Sequence, residues 1–203
     1  MIIERIVVGP LETNCYILAD EKTKEAVIID PGDGYGKIQK KIDKLGLKPL
    51  CIINTHGHGD HIGANEKFKL PVWIHKLDAD FLTDPAKNLS GAFYMDIYSP
   101  KASRLLQGGE KFKVGSLELE IIHTPGHTPG GICVKCDGAL FSGDTLFYQS
   151  IGRTDIPMAS TEDLLESIRT KLMVLDDSTV VYPGHGPEST IGEERRNNPF
   201  LNE

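Results

Sequence analysis

The sequence is poor in several things. It has one Trp, four Cys and four Met in 203 residues, and its 22 Lys and Arg are outnumbered by 29 Asp and Glu. The resulting formal charge of −7 argues against a nucleic-acid binder that works through a broad basic face. No apolar run approaches the roughly 20 residues a membrane helix needs. The start, MIIERIVVG, has no charged leader, no apolar stretch of signal length and no small-residue cleavage site, so a cytoplasmic chain is expected. Four Cys are too few for a disulfide scaffold. Cys15 and Cys51 lie in apolar strand-like runs, and Cys133 and Cys136 form a single CxxC inside what reads as a hairpin. A zinc ribbon needs two such pairs and a redox pair usually opens a helix, so all four thiols read as buried structural residues.

Against these shortages stand 7 His and 21 Gly. The length suits one domain over residues 1–203. Short Ile- and Val-rich runs at 2–8, 14–19 and 25–29 predict strands. Ile38, Ile42 and Leu45, spaced among Lys, predict an amphipathic helix over 35–46 closed by Gly46. Leu50 to Ile53 reads as a strand buried on both faces. Helices are expected near 62–68 and 77–83, with a strand at 71–74 between them. Residues 84–108, with Phe93, Tyr94 and Tyr98, read as a long loop or broken helix that helps to shape a site. Strands are expected at 111–114, 117–122, 131–135, 139–142 and 179–182. A helix over 161–174 takes Thr161 as its N-cap and Leu164, Leu165, Ile168 and Leu172 as its buried stripe. The tail from 188 holds a possible terminal helix. Each half runs strands first and helix later, which predicts an α/β protein of two packed sheets with helices outside, an αββα arrangement.

The histidines cluster. Residues 54–63 read Asn-Thr-His-Gly-His-Gly-Asp-His-Ile-Gly, between a buried strand and a helix, where open α/β sheets collect their sites. His56 and His58, two apart, point the same way in extended backbone. Asp60 and His61 follow a bend and face a neighbouring point. One metal ion cannot easily use all four side chains, whereas two adjacent ions can. His127, Asp144 and His185 each stand in a Gly-containing turn directly after an apolar strand. Several strands thus deliver ligand-type side chains to equivalent positions. His75 and His123 either line the same pocket or are hydrogen-bonded structural residues, and the second reading is favoured.

His56-x-His58-x-Asp60-His61, followed by His127, Asp144 and His185, resembles the metallo-β-lactamase superfamily. The likeness runs from Thr13-Asn-Cys-Tyr16 and Asp30-Pro-Gly32 to the His185 turn. It implies a four-layer αββα sandwich and two metals at the edge of the sheets. His56, His58 and His127 would hold one ion, Asp60, His61 and His185 the other, and Asp144 would bridge them. Imidazole and carboxylate donors suit two Zn²⁺ ions, with Fe or Mn also possible. Such a pair lowers the pKa of a shared water enough to give hydroxide near neutral pH. Asp60 is placed to orient that nucleophile as well as bind metal. Asp30 is a candidate to hold a ligand imidazole by a hydrogen bond, or simply forms the turn.

Antibiotic-hydrolysing members commonly carry Cys at the Asp144 position, so Asp144 points away from a β-lactamase. Ser142-Gly-Asp-Thr-Leu-Phe147 and Ile151-Gly-Arg-Thr-Asp155 resemble glyoxalase II-like enzymes (hydroxyacylglutathione hydrolases), in their short single-domain bacterial form, and the related persulfide dioxygenases. Arg153 stands where glyoxalase II has a substrate-binding Lys, and is the candidate for a substrate carboxylate, or else pairs with Asp155. The Tyr expected near Asp155 is missing. Arg195 and Arg196 are the remaining basic residues near the end of the chain, either substrate contacts or solvated helix charges. The expected partner is a small-molecule thioester, with neither nucleic acid nor membrane. The alternative is a persulfide dioxygenase using His56, His127 and Asp144 on one iron; an RNA-processing nuclease or a lactonase is disfavoured.

Overall fold

The computed structural model describes residues 1–202, except for the side chain of Phe93. The first sheet holds β1 (Ile2–Val8), β2 (Thr13–Ala19), β3 (Glu25–Ile29), β4 (Lys48–Ile53), β5 (Val72–His75) and β6 (Arg104–Leu106), in that spatial order. β1, β2 and β3 pair antiparallel, and β3 to β6 pair parallel. The second sheet holds β7 (Lys111–Val114), β8 (Leu117–His123), β9 (Ile132–Cys136) and β10 (Ala139–Gly143). A small hairpin follows, β11 (Leu146–Phe147) and β12 (Ser150–Ile151). β13 (Val180–Pro183) and β14 (Ser189–Thr190) complete the second sheet, in the order β14-β13-β10-β9-β8-β7.

The period-2 pattern explains why the sheets stack. In β2, Tyr16 and Leu18 face inward and meet Val134 and Phe141 of the second sheet. The alternate residues Cys15, Ile17 and Ala19 face outward and pack on Ile38 and Ile42 of α1 (Tyr35–Leu45). Burying each of those isoleucines is worth about 1.5–3 kcal/mol. On the other side, Cys133, Leu140 and Val181 pack under Leu164, Ile168 and Leu172. Three apolar seams between four layers make the αββα sandwich that the sequence predicts.

The local details differ from expectation in several places. Leu50, expected in a strand buried on both faces, is exposed, and only Cys51 to Ile53 of β4 are buried. The β11–β12 hairpin and β14 were not expected. The helix near 62–68 is two short turns, α2 (Gly59–Ile62) and α3 (Asn65–Phe68). Asp60 and His61 therefore lie on α2 itself. The segment near 77–83 is a 3₁₀ helix, Lys76–Thr83, with the His75 side chain accepting from the Leu77 N–H at its start. The stretch 84–108 contains a 3₁₀ turn, Ser90–Phe93, and the edge strand β6. Three residues are too few to show a period, and only pairing with β5 makes them a strand. The helix expected over 161–174 is α4 (Thr161–Ser167) widening into a π turn, Ile168–Leu172. Its N-cap is Ser160, not Thr161. Ser160 has extended backbone and accepts from the Asp163 N–H at 3.2 Å. The terminal helix is α5 (Ile191–Asn197). Among the described residues no helix is long and apolar enough to cross a membrane.

Candidate metal centre

β4 ends at Ile53 and the chain turns through Asn54 and Thr55 into the histidine segment. Both turn residues are buried and tied down. Asn54 donates to the His61 carbonyl at 3.0 Å. The Thr55 N–H and hydroxyl donate to the two oxygens of Asp30. His56 and His58 then stand with ring centroids 4.7 Å apart, and His127 comes within 4.9 Å of His56 and 4.7 Å of His58. The three form one group whose nitrogens lie close enough to share an ion, and Asp60, His61 and His185 form another.

Asp144 faces both groups. Its Oδ2 is 3.6 Å from Nε2 of His127 and 3.6 Å from Nε2 of His185, and its Oδ1 is 3.5 Å from Nε2 of His61. It follows Gly143, whose φ of 50° and contact with Thr55 leave no room for a side chain. Gly184 is equally confined, since a Cβ there would meet Asp144 Oδ1. All seven residues expected from the sequence are therefore brought together.

Three of the imidazoles are aimed by their second nitrogen. His127 Nδ1 donates to the Arg153 carbonyl at 2.8 Å and His185 Nδ1 to the Leu11 carbonyl at 3.0 Å, which leaves both Nε2 lone pairs pointing inward. His61 Nδ1 lies 3.0 Å from Asp30 Oδ2. Asp30, at φ 51°, holds a left-handed conformation that side chains rarely adopt. It thereby reaches both Thr55 and His61, and so acts as the imidazole holder and not merely a turn former.

Sequence reasoning missed other supports. Asp78 is fully buried and accepts from the Gly57 N–H at 3.1 Å, the Thr128 hydroxyl at 2.7 Å and the Gly130 N–H at 2.6 Å. One carboxylate thus braces the segment of His56 and His58 against that of His127. Burial pushes its pKa up to about 6 against the pull of these donors. Thr13 donates to Asp60 Oδ2 at 2.9 Å. Asn14 and Tyr16 donate to the Pro183 carbonyl, and the Asn14 N–H donates to the Gly184 carbonyl, pinning the His185 turn. The only sequence signal was the Thr-Asn-Cys-Tyr run; nothing marked Asp78 among the acidic residues.

The electrostatics fit a cation. Burial pushes His56 down, and pushes His58 down to about 3, so both are neutral donors. Burial opposes ionisation of Asp60, yet the neighbouring His61 and His185 hold it well below the usual carboxylate range. Burial also opposes charge on His61, but Asp60, Asp144 and Asp30 outweigh it and raise its pKa. Clustered carboxylates thus demand positive charge here. Buried His56 Nε2, His58 Nε2 and Asp144 Oδ1 make no hydrogen bond. Among the described residues the one other such atom is the Asn65 Oδ1, on a side chain whose amide nitrogen donates to Asn54 and Ser99. His58 Nδ1 and His127 Nε2 face each other at 2.9 Å, an arrangement a shared ion would satisfy.

The remaining candidates lie apart. His75 and His123 stack on each other at 4.0 Å, bonded to the Gln107 and Pro129 carbonyls, outside both groups. All four Cys are free and buried, as expected. Cys133 and Cys136 sit in the β9–β10 hairpin. Arg195 and Arg196 are engaged by Asp177. Arg153 borders the groove over the centre, and its guanidinium makes a two-pronged pair with Asp155 at 2.9 and 3.0 Å. That groove encloses about 800 Å³.

The family model of the metallo-beta-lactamase superfamily matches residues 8–185. The hydroxyacylglutathione hydrolase GloC of Haemophilus influenzae is 38% identical, over 100% of this chain and 99% of that protein. The BLEG-1 B3 metallo-beta-lactamase superposes at TM-score 0.94, with 40% identity and all of both chains covered. TTHA1623, solved in a di-iron-bound form, superposes at 0.86 with 37% identity, over 98% of this chain and 100% of that one. With the αββα fold and the gathered ligand residues, these likenesses place the chain in the metallo-beta-lactamase superfamily.

Proposed function

We propose that the centre holds two divalent metal ions and hydrolyses acyl thioesters, as a hydroxyacylglutathione hydrolase does. His56, His58 and His127 are assigned to one ion, Asp60, His61 and His185 to the other, and Asp144 to both. The observation that carries this is the position of Asp144, with Oδ2 equidistant from His127 and His185 at 3.6 Å. The bound ions would supply Lewis acidity and a nucleophilic water at neutral pH.

The chain's own residues prepare the rest. Asp60 stays ionised beside His61 and His185, and the Thr13 hydroxyl fixes the direction of its Oδ2. It can orient a water by accepting its hydrogen bond. Asp30 and Asp78 hold the ligand-bearing segments in place. A thiolate leaves without protonation, so the absence of a further acid from the assigned set is no obstacle. The GloC likeness supports thioester chemistry and the di-iron form of TTHA1623 supports a two-ion site; neither fixes whether zinc, iron or manganese is used. The BLEG-1 likeness makes a β-lactam the competing substrate.

The test is metal analysis by mass spectrometry and thiol release from S-lactoylglutathione on the same sample. About two metals per chain with thiol release are expected. One iron per chain with oxygen consumption on a persulfide, or β-lactam opening without thioester cleavage, would overturn the reading.

A further inference from the structure

The groove over the centre is built from apolar side chains. Leu89, Met95, Ile97, Phe147 and Ile156 line it, with Leu11 at the His185 side. Leu11 and Met95 are 52% and 46% exposed. Exposed apolar side chains gathered around one pocket mark a binding surface. The volume of about 800 Å³ exceeds what a two- or three-carbon acyl group fills and lies within the range of ordinary small-molecule sites.

Charge narrows the occupant. Among the described residues lining the groove, Arg153 is the one lysine or arginine, and Asp155 already pairs with one edge of its guanidinium. Asp33 adds a further carboxylate to the lining. Arg5 borders an adjacent recess, where it donates to the Gly186 carbonyl and shares the space with Glu12. A tripeptide thiol carrier brings two carboxylates and, away from the metal centre, would find no unpaired lysine or arginine in this lining. An uncharged hydrocarbon chain would find the apolar side chains of Leu89, Met95, Ile97 and Ile156 in the same lining.

We infer that the groove selects thioesters whose acyl group is an extended, uncharged hydrocarbon chain, in preference to short hydroxyacyl groups on an anionic peptide thiol. The inference takes the reacting group from the thioester reading and adds the chemistry of the rest of the substrate. The acyl chain lies along Leu89, Met95 and Ile156, with the reacting carbonyl toward Asp60 and Asp144.

Thioethers test this without turnover, because they cannot be hydrolysed. Binding to the metal-containing protein is measured by calorimetry for S-methyl- to S-hexyl-N-acetylcysteamine, which are uncharged, and for S-hexylglutathione. A fully buried methylene is worth about fourfold in affinity, so partial burial of five should give at least about tenfold from methyl to hexyl. A smaller gain, or tighter binding of S-hexylglutathione than of its neutral counterpart, overturns the inference. Met95→Glu, at an exposed position, should weaken hexyl binding at least fivefold with an unchanged circular dichroism spectrum; unchanged hexyl affinity in that variant also overturns it. The two readings fail separately. Absence of any thioester cleavage sinks the reaction and leaves the binding series informative. Cleavage with a flat binding series sinks the chain preference and leaves the reaction standing.

Discussion

Strand β2 ties the two sheets together at both ends, and the two ties are built differently. At its C-terminal end, buried Asp20 accepts from the Lys22 and Thr23 N–H groups at 2.7 and 2.9 Å, from the Ser116 N–H at 2.7 Å, and from the Ser116 hydroxyl. The Ser116 hydroxyl and these N–H groups hold its carboxyl well below the usual range. At the N-terminal end, Thr13 and Asn14 lead into a cluster where Asp144 Oδ1 and His56 Nε2 have no hydrogen bond at all. Both ends bury charge. One satisfies it with neutral donors and is structural; the other leaves donor atoms over and is ready for a ligand. A buried polar atom is costly unless something pairs with it, so a cluster of unsatisfied atoms, unlike the single one at Asn65, distinguishes a site from a brace better than residue type does.

The largest test of that contrast is Asp144→Ala. It should remove metal from both positions and lower thioester turnover by more than 100-fold, beyond the scale of losing a ligand's hydrogen-bond partner. Its metal-free form should melt no lower than the metal-free parent, since Asp144 braces nothing. A substantial drop in that melting temperature would make Asp144 structural and break the contrast.

Asp30→Asn and Asp78→Asn come next. Each carboxylate is buried, satisfied and one bond removed from the ligands, so each loss should cost about 10–100-fold in metal affinity. The Asp78 variant should weaken the His56, His58 and His127 position preferentially, because its bonds run to Gly57, Thr128 and Gly130. Stepwise metal titration separates the two positions. Equal weakening of both would show that Asp78 supports the fold at large.

Asp20 offers the smaller, purely structural effect. Its folded pKa is depressed, so the stability it contributes is fully present above its unfolded value, near 3.9. That contribution is lost as pH falls through and below that value. Denaturant midpoints between pH 3 and 6 should therefore fall on acidification, and fall less steeply in Asp20→Asn. Metal content at neutral pH should match the parent. An identical acid slope in the variant would remove Asp20 from the account.

The contrast also explains what the sequence could reveal. Ligand residues were legible because His56, His58, Asp60 and His61 fall together and each of the other three follows an apolar strand. Two packed sheets were legible from alternation such as that in β2. Asp78 was not, because its three partners come from residues 57, 128 and 130, and only the folded sheets bring them to it. The edge strand β6 and the Ser160 cap failed for a related reason. A three-residue strand is defined by its neighbour, and a cap is decided by backbone geometry that two adjacent hydroxyl residues leave open.

The same criterion applies to a cation at the groove. Arg153 was a candidate substrate contact from its place in the sequence, but one edge of its guanidinium is paired with Asp155, and both side chains are 72% exposed. An exposed pair of this kind contributes little to stability. Asp155→Ala should therefore leave the melting temperature unchanged and release the arginine. KM for an anionic thioester should then fall, by at most about fivefold, the scale of one exposed charge pair. Arg153→Ala in the parent should change that KM by less than twofold, because the charge it removes is already neutralised. If Arg153→Ala raised KM tenfold while Asp155→Ala did nothing, the arginine would be gripping substrate despite its partner. Satisfaction by hydrogen bonds would then fail as the mark of a residue with no ligand to bind.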